Sequence, residues 1–497
     1  MAGTSTFADG AIRPEDAASL TPQWRFRWQD ADCYPSSELR PWGNYSTPVV
    51  WGTTIYQGYT SGCLVALDTR TKHRRWMRDF GFQPPMTCRG DDGRGIMSTP
   101  AITEERVGGG TERFVYLHAP NGFLYKLHAD TGHDAWTRPA SVDPLLDPNV
   151  NDYYAWSSPL PLPKLGLIVV GLTSNCDIPF ARGGLKAFSM ASGRLVWTWW
   201  SMPANPNDPL QWDVGGGVWT GASSDGSAIY ASIGSATDCF SPQSLQDLNN
   251  PEPVAGKFHG VWHQCDAPGD QYSIVKIDAR TGARLGKFRA PQANIGDPDF
   301  GSGTTTWSVK LSDGRERQLV GACNKDGWYY VVNAQPDASG HLPLVWKVLI
   351  GSPTYAGETA CLGGAVYDTR TQRLFLAGNV AHSNGAVTGR VRRVNPATGA
   401  TVWETALPSN PLATGTVNSN GVLAYAGMHW GNYPDNGVFL LRSTDGAILR
   451  QLKDPGNATS DCRGCTFNEF GQPVWADGRL WMSNMTALTP WTKPPSK

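Results

Sequence analysis

The chain has 497 residues, enough for three average domains or one large repeat domain. Only 17 % of them are charged and the net charge is −1, which excludes the basic stripe that a nucleic-acid partner requires. Apolar runs such as LIVVGL at 167–172 fall far short of the ~20 residues of a membrane helix, so no membrane span is expected.

The opening MAGTSTFADG lacks the apolar region of a signal peptide, so the leader of an exported chain is expected to be already removed. Two features point to export. Ten cysteines, an even number, are scattered through turn-rich segments, with Cys239–Cys265 and Cys462–Cys465 as plausible disulfides. Three N-glycosylation sequons begin at Asn44, Asn457 and Asn484. A secreted or secretory-lumen protein is the expectation.

Residues 1–20 read as an irregular N-terminal arm. TPQWRFRW, 21–28, reads as the last strand of a unit that lacks its beginning. From there one unit recurs: small residues, a strand, a second strand, then a strand leading through Asp/Asn-x-x-Thr-Gly to Trp. STPVVWGTTIYQG opens the copy ending at Trp76, STPAITEE the one ending at Trp136, and SSPLPLPKLGLIVVGL the one ending at Trp197. GVWTGASSDGSAIYASIG starts a degenerate fourth, with residues 239–271 as an inserted loop. Further copies end at Trp346 and Trp403, a seventh begins TGTVNSNGVLAYAG, and PVWADGRLWMSN supplies inner strands of an eighth. Alternation of period two marks the strands, and the Thr-Gly pairs suit tight turns in which Gly takes positive φ. The recurring Trp is expected to wedge between adjacent sheets. Joining 21–28 to the C-terminal strands closes the ring and leaves no unpaired seam. The fold expected is all-β, eight four-stranded sheets in one domain over 1–497.

These repeats resemble the quinoprotein dehydrogenase propeller, eight blades around pyrroloquinoline quinone, and within it most nearly the polyvinyl-alcohol-dehydrogenase-like group. The pieces that carry the likeness are GGGVWTGASSDGSAIYASIGS, DPDFGSG and VGACNKDGWYYVVNA, in that order and spacing. The resemblance implies a role for each matching residue. Arg94, in RGIMSTPAI, would pair with the acidic quinone through its guanidinium fork. Trp219 would lie under the flat ring. Asp297 would be the catalytic base and a cation ligand, and Asp299 the further ligand of lanthanide-type relatives. Lys325, in NKDG, would contact both the quinone and the base. Read without the resemblance, Arg94, Asp297, Asp299 and Lys325 are ordinary turn residues, and Trp219 is one more wedge.

The chain departs from the family at the cation. Ser235 stands where an Asn is common, and Asn175 or Asp177 stands in for a Glu; Ca2+ or a lanthanide would take these oxygens with Asp297 and Asp299. The adjacent Cys pair of many relatives is missing, leaving Cys88, which would bridge to Cys33. CRGCT at 462–466 carries Thr466 where covalent haem attachment needs His, so no covalent haem is expected and electrons would leave to a separate acceptor. Two functions follow. One is a secreted quinone-dependent oxidoreductase acting on an alcohol or related small organic substrate. The other is a propeller with a lost or changed cofactor that binds a ligand or protein, or runs another reaction in its funnel.

Overall fold

The computed structural model of the protein describes residues 9–27, 45–81, 95–142, 153–173, 182–202, 215–235, 269–291, 299–311, 314–352, 361–384, 386–428, 435–453, 471–484 and 487–494. Each sequence repeat folds into one antiparallel four-stranded sheet whose strands follow one another from the axis outwards. In chain order these blades span 49–79, 101–141, 160–200, 223–289, 305–349, 366–407 and 416–452. The eighth takes three strands from 474–492 and its outer edge from the N-terminus. There Thr21 and Pro22 pair with Thr492 and Trp491, and Phe26 and Arg27 with Leu488 and Ala487. The ring closes as the sequence predicts, and no blade is left with an open seam.

The core sits between blades. Leu185 and Ala187 of blade 3 share one cluster with Ile229 and Val275 of blade 4. Tyr329 and Val331 of blade 5 share another with Tyr367 and Leu376 of blade 6. A blade alone would leave these faces wet, so the blades are stable only as neighbours. The repeat tryptophans fill the seams near the rim. Trp76, Trp136, Trp197, Trp346 and Trp403 donate their indole N–H to Ala129, Met190, Ala279, Pro396 and Ser443 of the next blade at 2.8–3.3 Å. Each ring lies on the turn glycine of that blade, where a Cβ would fall 2.6–2.9 Å from the indole and φ is +70 to +78°. The turn glycine is therefore a steric requirement as well as a turn preference. Blade 4 has Gly286 at the wedge position, and Pro336 and Leu342 of blade 5 fill the space.

Residues 9–20 cross the outside of the closure. The 3-10 turn Pro14–Ser19 buries Ala17, flanked by buried Ile12 and Leu20. Arg450 donates to the carbonyls of Ala17, Ala18 and Leu20, and Gly478 N–H donates to Asp9. Asn484 is buried, and its side-chain oxygen accepts the Ala487 N–H at 2.9 Å within a turn. The other two sequons and the bonds expected at Cys239–Cys265, Cys462–Cys465 and Cys33–Cys88 lie outside the described residues. A disulfide not foreseen from sequence joins Cys323 to Cys361, and Cys63 is also disulfide-bonded.

Candidate functional site

The innermost strands enclose an axial channel of about 820 Å³ lined by all eight blades. Because all eight run the same way along the axis, residues two apart form stacked rings. One ring holds Thr47, Thr99, Ser158, Gly221, Gly303, Gly364, Thr414 and Gln472. Its hydroxyls tie blade to blade: Thr47 N–H donates to Thr99 Oγ1 at 3.0 Å, Thr99 N–H to Ser158 Oγ at 2.9 Å and Gly364 N–H to Thr414 Oγ1 at 2.8 Å. On the opposite side Gly303 lets its backbone approach Gly221, whose carbonyl a Cβ would meet at 2.4 Å. One step nearer the strand starts the ring is apolar: Tyr45, Met97, Trp156, Trp219, Gly301, Leu362 and Leu412. Its aromatic members meet edge to face, Tyr45 with Trp156 at 5.3 Å and Trp156 with Trp219 at 6.1 Å. One step further in the same register stand Gly95, Tyr154, Gly217, Asp299 and Asn410.

Asp299 and Lys325 meet on this apolar floor. Lys325 Nζ lies 3.3 Å from Asp299 Oδ2 and 5.5 Å from the centre of the Trp219 ring. The Lys325 N–H also donates to the Asp299 carbonyl at 2.8 Å. Both side chains are buried, at 3 % exposure for Asp299 and 12 % for Lys325. The N-K-D-G turn explains why the lysine is the residue presented. Asn324 Oδ1 caps the Asp326 N–H. Asp326 accepts from Tyr330 OH at 2.5 Å and from Trp328 N–H. Gly327 sits at φ +87°, where a Cβ would strike the Gly351 carbonyl. Burial raises the Asp326 carboxyl above its ordinary range, against the pull of the Tyr330 hydrogen bond.

Ser235 belongs to the same corner. Its neighbour Gly234 packs against Asp299, whose Oδ1 a Cβ there would meet at 2.7 Å. Ser235 Oγ and Asn410 Oδ1 are buried with no hydrogen-bond partner among the described residues. Thus Trp219, Asp299, Lys325 and Ser235 are brought together, whereas Arg94, Asp297, Asn175 and Asp177 lie outside the described residues. Trp156, Tyr45, Leu362, Leu412 and Asn410 were not foreseen. Counting back by twos from the small-residue pair that opens each repeat would have found them.

A half-buried indole, an ammonium over its ring and two orphaned buried oxygens fit a flat, polar-rimmed ring such as pyrroloquinoline quinone. For a hard cation, Asp299 and Ser235 supply two oxygens of the right chemical class. Among the described residues no cluster of three or more His, Cys, Asp or Glu is present, and no helix is long and apolar enough to cross a membrane.

Comparison with known proteins agrees with this class. Residues 4–248 match the glucose/ethanol/alcohol dehydrogenase β-propeller domain (PQQ). The quinohemoprotein alcohol dehydrogenase of Comamonas testosteroni is 24 % identical over 274 residues, 47 % of this chain and 34 % of that protein. Lupanine 17-hydroxylase [cytochrome c] of a Pseudomonas species is 24 % identical over 328 residues, 61 % of this chain and 42 % of that protein. The chain spans less than half the length of these curated relatives. In fold, the Comamonas enzyme superposes with a TM-score of 0.66 at 15 % identity, covering 99 % of this chain and 79 % of that one. A europium-containing methanol dehydrogenase gives 0.63 at 14 % identity, covering 96 % of this chain and 87 % of that one. The chain carries a PQQ-dehydrogenase-type eight-bladed β-propeller and is a homologue of quinoprotein alcohol dehydrogenases. The comparisons do not single out the polyvinyl-alcohol-dehydrogenase-like group.

Proposed function

We propose that the chain is a secreted quinoprotein-type oxidoreductase that oxidises an alcohol or related small organic substrate by hydride transfer to pyrroloquinoline quinone. The observation that carries this reading is the convergence of Lys325 and Asp299 beside Trp219, which lines the axial channel. When bound, the quinone supplies an electrophilic carbonyl carbon that takes the hydride. Trp219 offers the flat apolar face on which such a ring stacks, and Arg94 lies on the matched segment that would hold its carboxylates. The Lys325 ammonium, held beside Asp299, would donate hydrogen bonds to quinone oxygen. Asp297, two residues before Asp299, takes the hydroxyl proton, so the substrate loses one hydride and one proton. Ca2+ or a lanthanide would be held by oxygens of Asp297, Asp299 and Ser235, with Asn175 and Asp177 as further donors. Electrons from the reduced quinone would have to leave to a separate acceptor.

The test is reconstitution. Purified protein is titrated with pyrroloquinoline quinone plus calcium or lanthanum, following absorbance and tryptophan quenching, and then assayed for alcohol-dependent dye reduction. Metal-dependent binding with turnover supports the oxidoreductase. Absence of binding at tens of micromolar overturns it in favour of a propeller that keeps the fold without the cofactor.

A further inference from the structure

We propose that the Cys323–Cys361 disulfide is a positioning element of the funnel site and not a general staple of the ring. Cys323 ends the second strand of blade 5, Glu316–Cys323, and Cys361 precedes the innermost strand of blade 6, Val366–Asp368. Both are fully buried. Between them lies the turn that carries Asp299.

On one side of that turn, the Cys323 carbonyl accepts the Gly301 N–H at 2.9 Å and the Ser302 N–H at 3.4 Å. The Cys323 N–H donates to Ser302 Oγ at 2.8 Å. Two residues on, Lys325 pairs with Asp299. On the other side, Gly301 is pressed onto the Cys361 backbone: a Cβ would fall 2.6 Å from the Cys361 carbonyl and from Leu362 Cδ2. Leu362 in turn packs with Leu412, Met428 and Trp219. The disulfide therefore ties the jaw that bears Lys325 to the jaw that supports the Trp219 floor, with the Asp299 turn gripped between them. The wedge tryptophans hold the blades together near the rim, but they do not reach this turn.

The experiment uses the full chain with Cys323→Ala/Cys361→Ala and the volume-keeping Cys323→Val/Cys361→Ala. The first readout is amide hydrogen exchange, which assumes no cofactor. Segments 299–304 and 323–328 are expected to exchange at least ~10-fold faster, while the outer strands 195–200 and 401–407 keep their rates. Uniform acceleration, or no change in those two segments, overturns the proposal. Ser302→Ala, which keeps the disulfide and cuts one link to the turn, is the variant that decides if neither double variant folds; it is expected to speed exchange in the same segments by a smaller factor, and unchanged rates would overturn the proposal. The second readout rests on the oxidoreductase reading: pyrroloquinoline quinone affinity, measured well below both melting points, is expected to weaken at least ~10-fold. Local loosening with unchanged quinone affinity also overturns the proposal. A wild-type chain that binds no quinone sinks the function proposed above and leaves the exchange rates to decide this one.

Discussion

The rim tryptophans and the floor tryptophans are one side chain put to two uses. Trp197 is buried in a seam, lies on Gly282 and spends its N–H on the Ala279 carbonyl. Trp219 is only half-buried, faces the axial channel and has a lysine rather than a glycine near its ring. The first kind repeats from blade to blade because each seam poses the same packing problem. The second kind, Trp156 and Trp219, lines the channel whether the wedge position of its blade holds Trp197 or Gly286. A propeller thus separates the positions that keep it folded from those that give it chemistry.

The sharpest way to break this division is to truncate one tryptophan of each kind. Trp197→Ala is expected to cost about 4 kcal/mol of stability and, measured well below its melting point, to leave quinone affinity unchanged. Trp219→Ala is expected to weaken that affinity about tenfold with a smaller loss of thermal stability. If calorimetry and titration give the two variants the same profile, the two classes are one.

Lys325 tests the floor from above. Lys325→Met is expected to lower dye-linked turnover at least ~100-fold and, by removing the ammonium that faces buried Asp299, to destabilise the chain by about 3 kcal/mol. The double variant Lys325→Met/Asp299→Asn separates the two effects. Its melting point should return toward wild type while turnover stays low. Recovery of turnover in the double variant would show that Lys325 serves only to neutralise Asp299.

His118 belongs to the inner seam, between rim and floor. It is buried with Nδ1 3.4 Å from the Ser157 carbonyl, and burial, aided by Lys186, lowers its pKa from 6.5 to about 4. The folded state thus holds the ring neutral, whereas the unfolded chain takes up a proton below pH 6.5. The stability from this site is complete above that pH and is lost as pH falls to about 4, a change of about 3 kcal/mol. Denaturant titrations between pH 7 and 4 should show the slope in the wild type and a shallower one in His118→Asn.

Rim and floor were also unequally legible in the sequence. The wedges, the turn glycines and the closing strand 21–27 could be read because packing repeats, and the sequence repeats with it. Trp219 was picked out by the resemblance, since read from the repeat alone it is one more wedge. Asp299 and Lys325 could be placed on neighbouring turns, and the resemblance set the lysine beside the base, Asp297, which lies outside the described residues; the pairing of Lys325 with Asp299 is seen only in the coordinates. The Cys323–Cys361 bond was illegible because its partners stand 38 residues apart in different blades and meet only when the ring closes. The Asn484 sequon shows the opposite limit: three residues define the motif, yet burial and a turn hydrogen bond decide what the side chain does.

The mildest contrast lies within the channel wall itself. The hydroxyl half of the ring is fastened by side chains, Thr99 accepting from Thr47 and Thr414 from Gly364, while at Gly221 and Gly303 close backbone approach serves instead. Thr99→Val keeps the shape and removes one acceptor, leaving the Thr47 N–H at the wall without its partner oxygen. The expected cost is about 1 kcal/mol, which in a chain of this length lowers the melting temperature by about 1 °C. Gly303→Ala, by contrast, cannot be accommodated without moving blade 4 from blade 5, since its Cβ would stand 2.4 Å from the Gly221 carbonyl. Calorimetry of the two variants side by side checks the point. If Thr99→Val proves as damaging as Gly303→Ala, the wall is one continuous hydrogen-bonded hoop, and the distinction between its hydroxyl and glycine halves falls.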